Sequence, residues 1–256
     1  MHILVTNDDG VVAPGLLALV TEMRNLGTVS ILAPDRNWST SGHVRTLDRP
    51  LRVREVVLSD NSTAWACDGA PSDCVALALC GFFPETIDLV VSGINPYANI
   101  GDDVTYSGTV TAAMEAVIGG LPALAVSVDS PDNHLGIVDY QASALLASKI
   151  TSIMLRNSLP KRLLLNINVP YLPVEKIKGI RVTRQGNREF HDRLDKRLDP
   201  RGKPYYWAIG DVPTAYPEPG NDAEALANGY VSVTPIQLDL TAYRFLPEMN
   251  SWNWEE

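Results

Sequence analysis

Short, nearly continuous apolar runs separated by amphipathic stretches dominate the first two thirds of the chain. Residues 3 to 6, ILVT, and 29 to 34, VSILAP, are aliphatic runs of strand length. Between them APGLLALVTEMRNLG carries Pro14 near a helix start and Gly27 just past its end. The three segments make a β-α-β unit. The same alternation predicts a helix over 71–82, a strand over 87–95, a helix over 107–120, a strand over 122–128, a helix over 139–156 and a strand over 162–170. Strands apolar on both faces that alternate with helices predict an α/β fold, a Rossmann-like and mostly parallel sheet with helices on both faces.

From residue 180 the pattern changes. GIRVTRQ, YYWAIG and GYVSVTPIQ have the look of strands, but Pro and Gly are frequent and the alternation lapses. The reading is a core over 1–179 and a smaller, partly antiparallel C-terminal extension over 180–256. The tail of that extension carries Tyr243, Phe245, Leu246, Trp252 and Trp254, apolar surface that must pack on its own domain or on a partner subunit. The extension is therefore the expected oligomerisation region, in a homodimer or homotetramer.

Of the 256 residues, 45% are hydrophobic and 20% charged, and no apolar run approaches the roughly 20 residues of a membrane span. The start, MHILVTNDDG, has no basic region before a long apolar stretch, so it does not read as a signal peptide, and the expected compartment is the cytoplasm. Cys67, Cys74 and Cys80 match neither zinc spacing nor a disulfide framework and read as buried thiols. A net charge of −9 argues against a grip on nucleic acid polymers. The charge is uneven. Residues 176 to 203 hold ten Lys or Arg against four acids, a net of +6 that leaves −15 elsewhere, either a solvated basic loop or one lying over an anionic substrate.

In a doubly wound sheet, ligands bind beyond the carboxyl ends of the strands. Three polar loops stand at such ends: TNDDG, APDRNWSTSGH and SGINPYANIGDDVTYSGT. They supply the adjacent carboxylates Asp8 and Asp9, then Ser39, then Asn95 and Asn99. Two carboxylates side by side need a positive partner, and this oxygen-rich set suits one hard divalent cation, Mg²⁺ or Mn²⁺. Ser107, Gly108 and Thr109 open a helix whose free N–H groups suit a phosphate, or else form an ordinary N-cap. Asp102 and Asp103 form a second acidic pair, mid-loop, where capping or loop shaping is expected. His43 is the one histidine in a candidate site loop. No G-x-G-x-x-G follows the first strand, and neither a P-loop nor a G-x-S-x-G elbow occurs.

The segments ILVTNDDG, APDRNWSTSGH, DGAPSDCVALAL, VVSGINPYANIGDDVTYSGTVTAAMEA, DPRGKPYYW and GYVSVTPIQLDLT together resemble the SurE family of stationary-phase survival proteins, over about residues 1 to 242. The resemblance implies a Rossmann-like core and metal-dependent hydrolysis of nucleoside 5′- and 3′-monophosphates to nucleoside and phosphate. It implies metal ligands Asp8, Asp9, Ser39 and Asn95, with Asp8 and Asp9 catalytic. It also implies a substrate and phosphate neighbourhood of Asn95, Asn99, Ser107, Gly108 and Thr109, and a C-terminal region used in assembly. Trp38 and the Thr40–Ser41 pair around Ser39 depart from the smaller residues common in the family, which bears on base preference. The competing readings are a non-catalytic nucleotide-binding or regulatory module, a group transferase, and a broad acid phosphatase or exopolyphosphatase.

Overall fold

The computed structural model describes residues 1–256 apart from 132–133, 158–159, 161 and 255–256. The predicted β-α-β unit is β1 (His2–Thr6), α1 (Pro14–Met23) and β2 (Thr28–Pro34). Pro14 starts α1 as expected, but the helix ends at Met23. Gly27 lies beyond a turn, where a Cβ would stand 2.4 Å from the carbonyl oxygen of Met1.

Next come a hairpin, β3 (Val53–Val57) with β4 (Thr63–Cys67), and then α2 (Pro71–Leu77), which continues through one wide turn at Ala78–Phe82. β5 (Leu89–Asn95), α3 (Gly108–Ile118), β6 (Ala123–Asp129), α4 (Gln141–Asn157) and β7 (Leu163–Pro170) follow where the alternation placed them. Beyond these lie β8 (Ile180–Val182), β9 (Arg188–Leu198), β10 (Pro204–Ala215), α5 (Asp222–Ala227) and β11 (Val231–Gln237).

Nine strands form one sheet in the order β3-β4-β2-β1-β5-β6-β7-β11-β8. From β4 to β7 every pairing is parallel, while β3 joins β4 and β11 joins β7 antiparallel. β8 and β11 lie beyond residue 180, so the main sheet draws strands from both sides of that point. β9 and β10 pair only with each other, as a long antiparallel arm.

One core packs α1 and α4 against one face of the sheet, around Leu16, Leu19, Ile150 and Met154. The other packs α2 and α3 against the opposite face, around Val75, Val110 and Ala113. The tail remains outside both: Tyr243, Phe245, Leu246, Trp252 and Trp254 are exposed and belong to neither core. Cys67 and Cys74 are buried thiols as expected, whereas Cys80, in the wide turn after α2, is exposed. Among the described residues no helix is long and apolar enough to cross a membrane.

This order fixes where a ligand can sit. After β1 the chain winds to β2 and β4 on one side, then crosses back to lay β5 on the other side of β1. The carboxyl ends of β1 and β5 therefore border the crevice that forms where a winding sheet reverses direction. Its width is set by backbone contact: a Cβ on Gly15, in the first turn of α1, would stand 2.2 Å from the carbonyl oxygen of Ile94 in β5. Gly15→Ala should therefore destabilise the protein by about 2–3 kcal/mol, read as a lower urea midpoint with an unchanged slope.

Candidate active site

β1 ends at Thr6, and the next residues turn at the mouth of the crevice. Asn7 is fully buried and makes the turn self-supporting: its Nδ2 donates to the carbonyl of Gly10 at 2.9 Å and its Oδ1 accepts the Gly10 N–H at 3.2 Å. The turn projects Asp8 and Asp9, with Asp8 3% exposed and Asp9 partly buried.

Asp8 faces the start of α3. Its Oδ1 accepts the Thr109 hydroxyl at 2.5 Å, and a Cβ on Gly108 would stand 2.9 Å from its Oδ2 and 2.7 Å from its Cβ. Only glycine lets the helix come this close. Ser107 is the N-cap, its Oγ accepting the Val110 N–H at 3.1 Å. The helix start predicted for a phosphate is thus turned first toward a carboxylate.

Burial pushes the Asp8 carboxyl above its ordinary value, partly offset by the Thr109 hydroxyl and the Gly108 and Thr109 backbone. Asp9 is pushed up to about 7, by burial first and by the neighbouring Asp8 charge second. Among the described residues no Lys, Arg or His pairs with either. Among the described residues Asn37 is the side-chain donor to Asp9, at a long 3.4 Å. A buried carboxylate beside a half-buried one is expensive without a cation, and the missing positive charge is what a metal would supply.

The other predicted residues are distributed unevenly. Ser39 is exposed on the loop after β2. Its N–H is held by Asn37 Oδ1 at 2.7 Å, and Trp38 N–H is held by the carbonyl of Asp8 at 2.7 Å, which brings this loop to the carboxylate turn. Asn95 closes β5 at the crevice edge and donates its amide to the Tyr97 carbonyl at 2.6 Å.

Asn99 is buried and turned inward. Its Nδ2 donates to Ser127 Oγ at 2.7 Å, while Asn166 and Asn168 of β7 bond its backbone. It braces the loop between β5 and α3 against the sheet. Asp102 and Asp103 shape that loop as expected: Asp102 accepts the Arg188 N–H at 2.9 Å and Asp103 pairs with the Arg188 side chain at 3.0 Å, tying the root of the β9–β10 arm. Asp222, which no sequence pattern singled out, accepts the N–H groups of Gly101 and Gly186, both at 2.9 Å. Its one local signal is its place at the start of a short helix, after the N-cap Asn221.

Among the described residues no cluster of three or more His, Cys, Asp and Glu could hold a metal. The crevice offers a different donor set: two carboxylates with neutral hydroxyl and amide oxygens near them, the chemistry of a hard cation.

Comparison with known proteins agrees with this geometry. The family model described as "Survival protein SurE" matches residues 3–192. The 5′-nucleotidase SurE of Chloroflexus aggregans is 49% identical over 255 residues, covering 100% of both chains. That of Herpetosiphon aurantiacus is 48% identical, covering 99% of each. The crystal structure of the SurE protein from Aquifex aeolicus superimposes with a TM-score of 0.81 at 40% identity, over 98% of each chain.

The Asp9 carboxyl has a stability consequence. Its folded value of about 7 lies above the ordinary 3.8, so the fold holds a proton that the unfolded chain has lost across that interval. The stability contributed by that proton is complete below 3.8 and is lost as pH rises toward 7. In metal-free protein, Asp9→Asn should raise stability by about 2 kcal/mol at about pH 8, after discounting for partial solvent screening, and by less at about pH 5. Urea titrations at the two pH values check it, and an equal gain at both would contradict the assignment.

Proposed function

Because this chain belongs to the SurE family and is a 5′-nucleotidase, we propose that Asp8 and Asp9 are the anionic side of one divalent-metal site at which nucleoside monophosphates are hydrolysed. The observation that carries this reading is the carboxylate pair at the switch point, Asp8 buried and Asp9 partly so, with no cationic side chain paired to either among the described residues. Ser39 and Asn95 complete the ligand set, and Mg²⁺ or Mn²⁺ fits these oxygen donors. A cation bound there supplies neutralisation of phosphate charge and a lowered pKa for water.

The chain's own residues then have separate tasks. Thr109 fixes the rotation of Asp8 through the 2.5 Å hydrogen bond, and Gly108 leaves room for the carboxylate. The turn Ser107-Gly108-Thr109 and the loop braced by Asn99 receive the phosphate side of the substrate. In this reading Asp8 and Asp9 are both committed to the cation, which leaves neither carboxylate free to attack phosphorus. Water is therefore the nucleophile, in a single displacement, and 3′-monophosphates are substrates as well as 5′. A purely binding module gains nothing from carboxylates facing a phosphate, which favours the catalytic reading.

The exposed arm and tail are the assembly surface. Trp207 is 56% exposed on β10 and Trp254 66% exposed in the tail, more aromatic surface than a monomer leaves in water. The free thiols Cys67, Cys74 and Cys80 fit the reducing cytoplasm.

Phosphate release from AMP and GMP should be abolished by EDTA. Asp8→Asn and Asp9→Asn should each cost a factor of about 10³ or more at saturating metal, and full activity in either would overturn the assignment. Ser39→Ala and Asn95→Ala should raise the half-saturating metal concentration about tenfold, because water can replace a neutral ligand. With a substrate chiral at phosphorus the product should be inverted, whereas retention would require a phosphoenzyme. Truncation after Leu238, which leaves β11 whole, should give a smaller assembly by light scattering, and an unchanged assembly would refute the role of the tail.

A further inference from the structure

Of the four proposed ligands, Ser39 stands furthest along the chain from a helix or strand, on the loop of residues 35–50, whereas Asn95 ends β5 and Asp8 and Asp9 follow β1 directly in a turn held by Asn7. An exposed serine on an irregular loop binds a metal well only if something holds the loop. The hydrogen bonds show what holds it. Downstream of Ser39 the Gly42 N–H donates to the Tyr106 carbonyl at 2.9 Å, and the Gly42 carbonyl accepts the Thr111 hydroxyl at 3.1 Å. One turn further along α3, Glu115 takes both remaining side chains. Its Oε2 meets His43 Nε2 at 2.9 Å and its Oε1 accepts from Arg45 Nη1.

Arg45 also reaches the fully buried Asp73 at the start of α2, 3.3 Å away, and Asp73 accepts the Thr46 N–H at 2.9 Å. Glu115 is 8% exposed, a carboxylate that would be costly to bury without its two partners, and those partners, beginning with His43, hold its pKa below the ordinary value. Helix α3 and the turn before it therefore hold the site at three points: Thr109 on Asp8, the Tyr106 carbonyl and Thr111 hydroxyl on Gly42, and Glu115 on His43 and Arg45.

We infer that Glu115 is a positioning residue of the metal site, acting through His43 and Arg45 on the loop that presents Ser39. The inference rests on the proposed ligand set and deepens it: Glu115 sets metal affinity without touching the metal. If the network merely stabilised the fold, its loss would lower the melting temperature and leave the metal affinity of the folded protein unchanged. If it acts through Ser39, its effect vanishes when Ser39 is already gone.

The test is Mn²⁺ binding to the full chain by titration calorimetry, with Mn²⁺ electron paramagnetic resonance as a second readout. Glu115→Ala should raise Kd about tenfold, the usual scale for a residue that supports a ligand. Glu115→Gln, whose amide oxygen still accepts from Arg45, should raise it less. The double variant Ser39→Ala/Glu115→Ala should match Ser39→Ala alone. Wild-type Kd in folded Glu115→Ala, or additive effects in the double variant, would overturn the proposal. Should Glu115→Ala fail to fold, Glu115→Gln with and without Ser39→Ala makes the same comparison. Asp9→Asn keeps the two readings apart. If it binds Mn²⁺ like wild type, the metal-site assignment falls; if it loses Mn²⁺ while both Glu115 variants keep wild-type affinity, only the positioning role falls.

Discussion

The organisation of this protein follows from placing two like charges side by side at the end of its first strand. Burial raises the cost of ionising both Asp8 and the half-buried Asp9, and the Asp8 charge raises it further for Asp9. Everything around them accommodates that cost. The Asn7 turn fixes where they project, Thr109 and the start of α3 offer Asp8 donors, and Gly108 removes the side chain that would separate helix from carboxylate. The sheet order contributes as much, because only the reversal between β1 and β5 leaves an open crevice at that strand end.

Other carboxylates, buried or half-buried, are partnered from within the chain. Asp73 and Glu115 share Arg45, Asp103 has Arg188, and Asp222 accepts two backbone N–H groups. Against that pattern, Asp8 and Asp9 have no arginine, lysine or histidine paired with them among the described residues, which fits the cation site proposed for them.

Much of this was legible in the sequence because it is local. A continuous apolar strand and an amphipathic helix announce themselves in a window of ten residues, so β1, β2, β5, β6, β7 and their helices were readable, as was the position of Asp8 and Asp9 at a strand end. The β3–β4 hairpin was not, since β3 is an edge strand with Arg54 and Glu55 exposed in its middle and has no apolar face to read. The inward turn of Asn99 depends on partners in β6 and β7, and the Glu115 network joins residues some seventy positions apart. Contacts of that range leave no periodic trace. The aromatic tail was legible as surface in need of a cover, and its side chains are exposed in the single chain.

The contact between Gly15 and the Ile94 carbonyl also has a dynamic consequence. With no side chain between them, helix and strand have no compressible layer, so α1 cannot slide toward β5 when a ligand arrives. The walls of the crevice are rigid, and adjustment to differently shaped nucleosides falls to the loops at its rim. Any difference in fit between one nucleoside and another is therefore set by the rim loops rather than by the spacing of helix and strand.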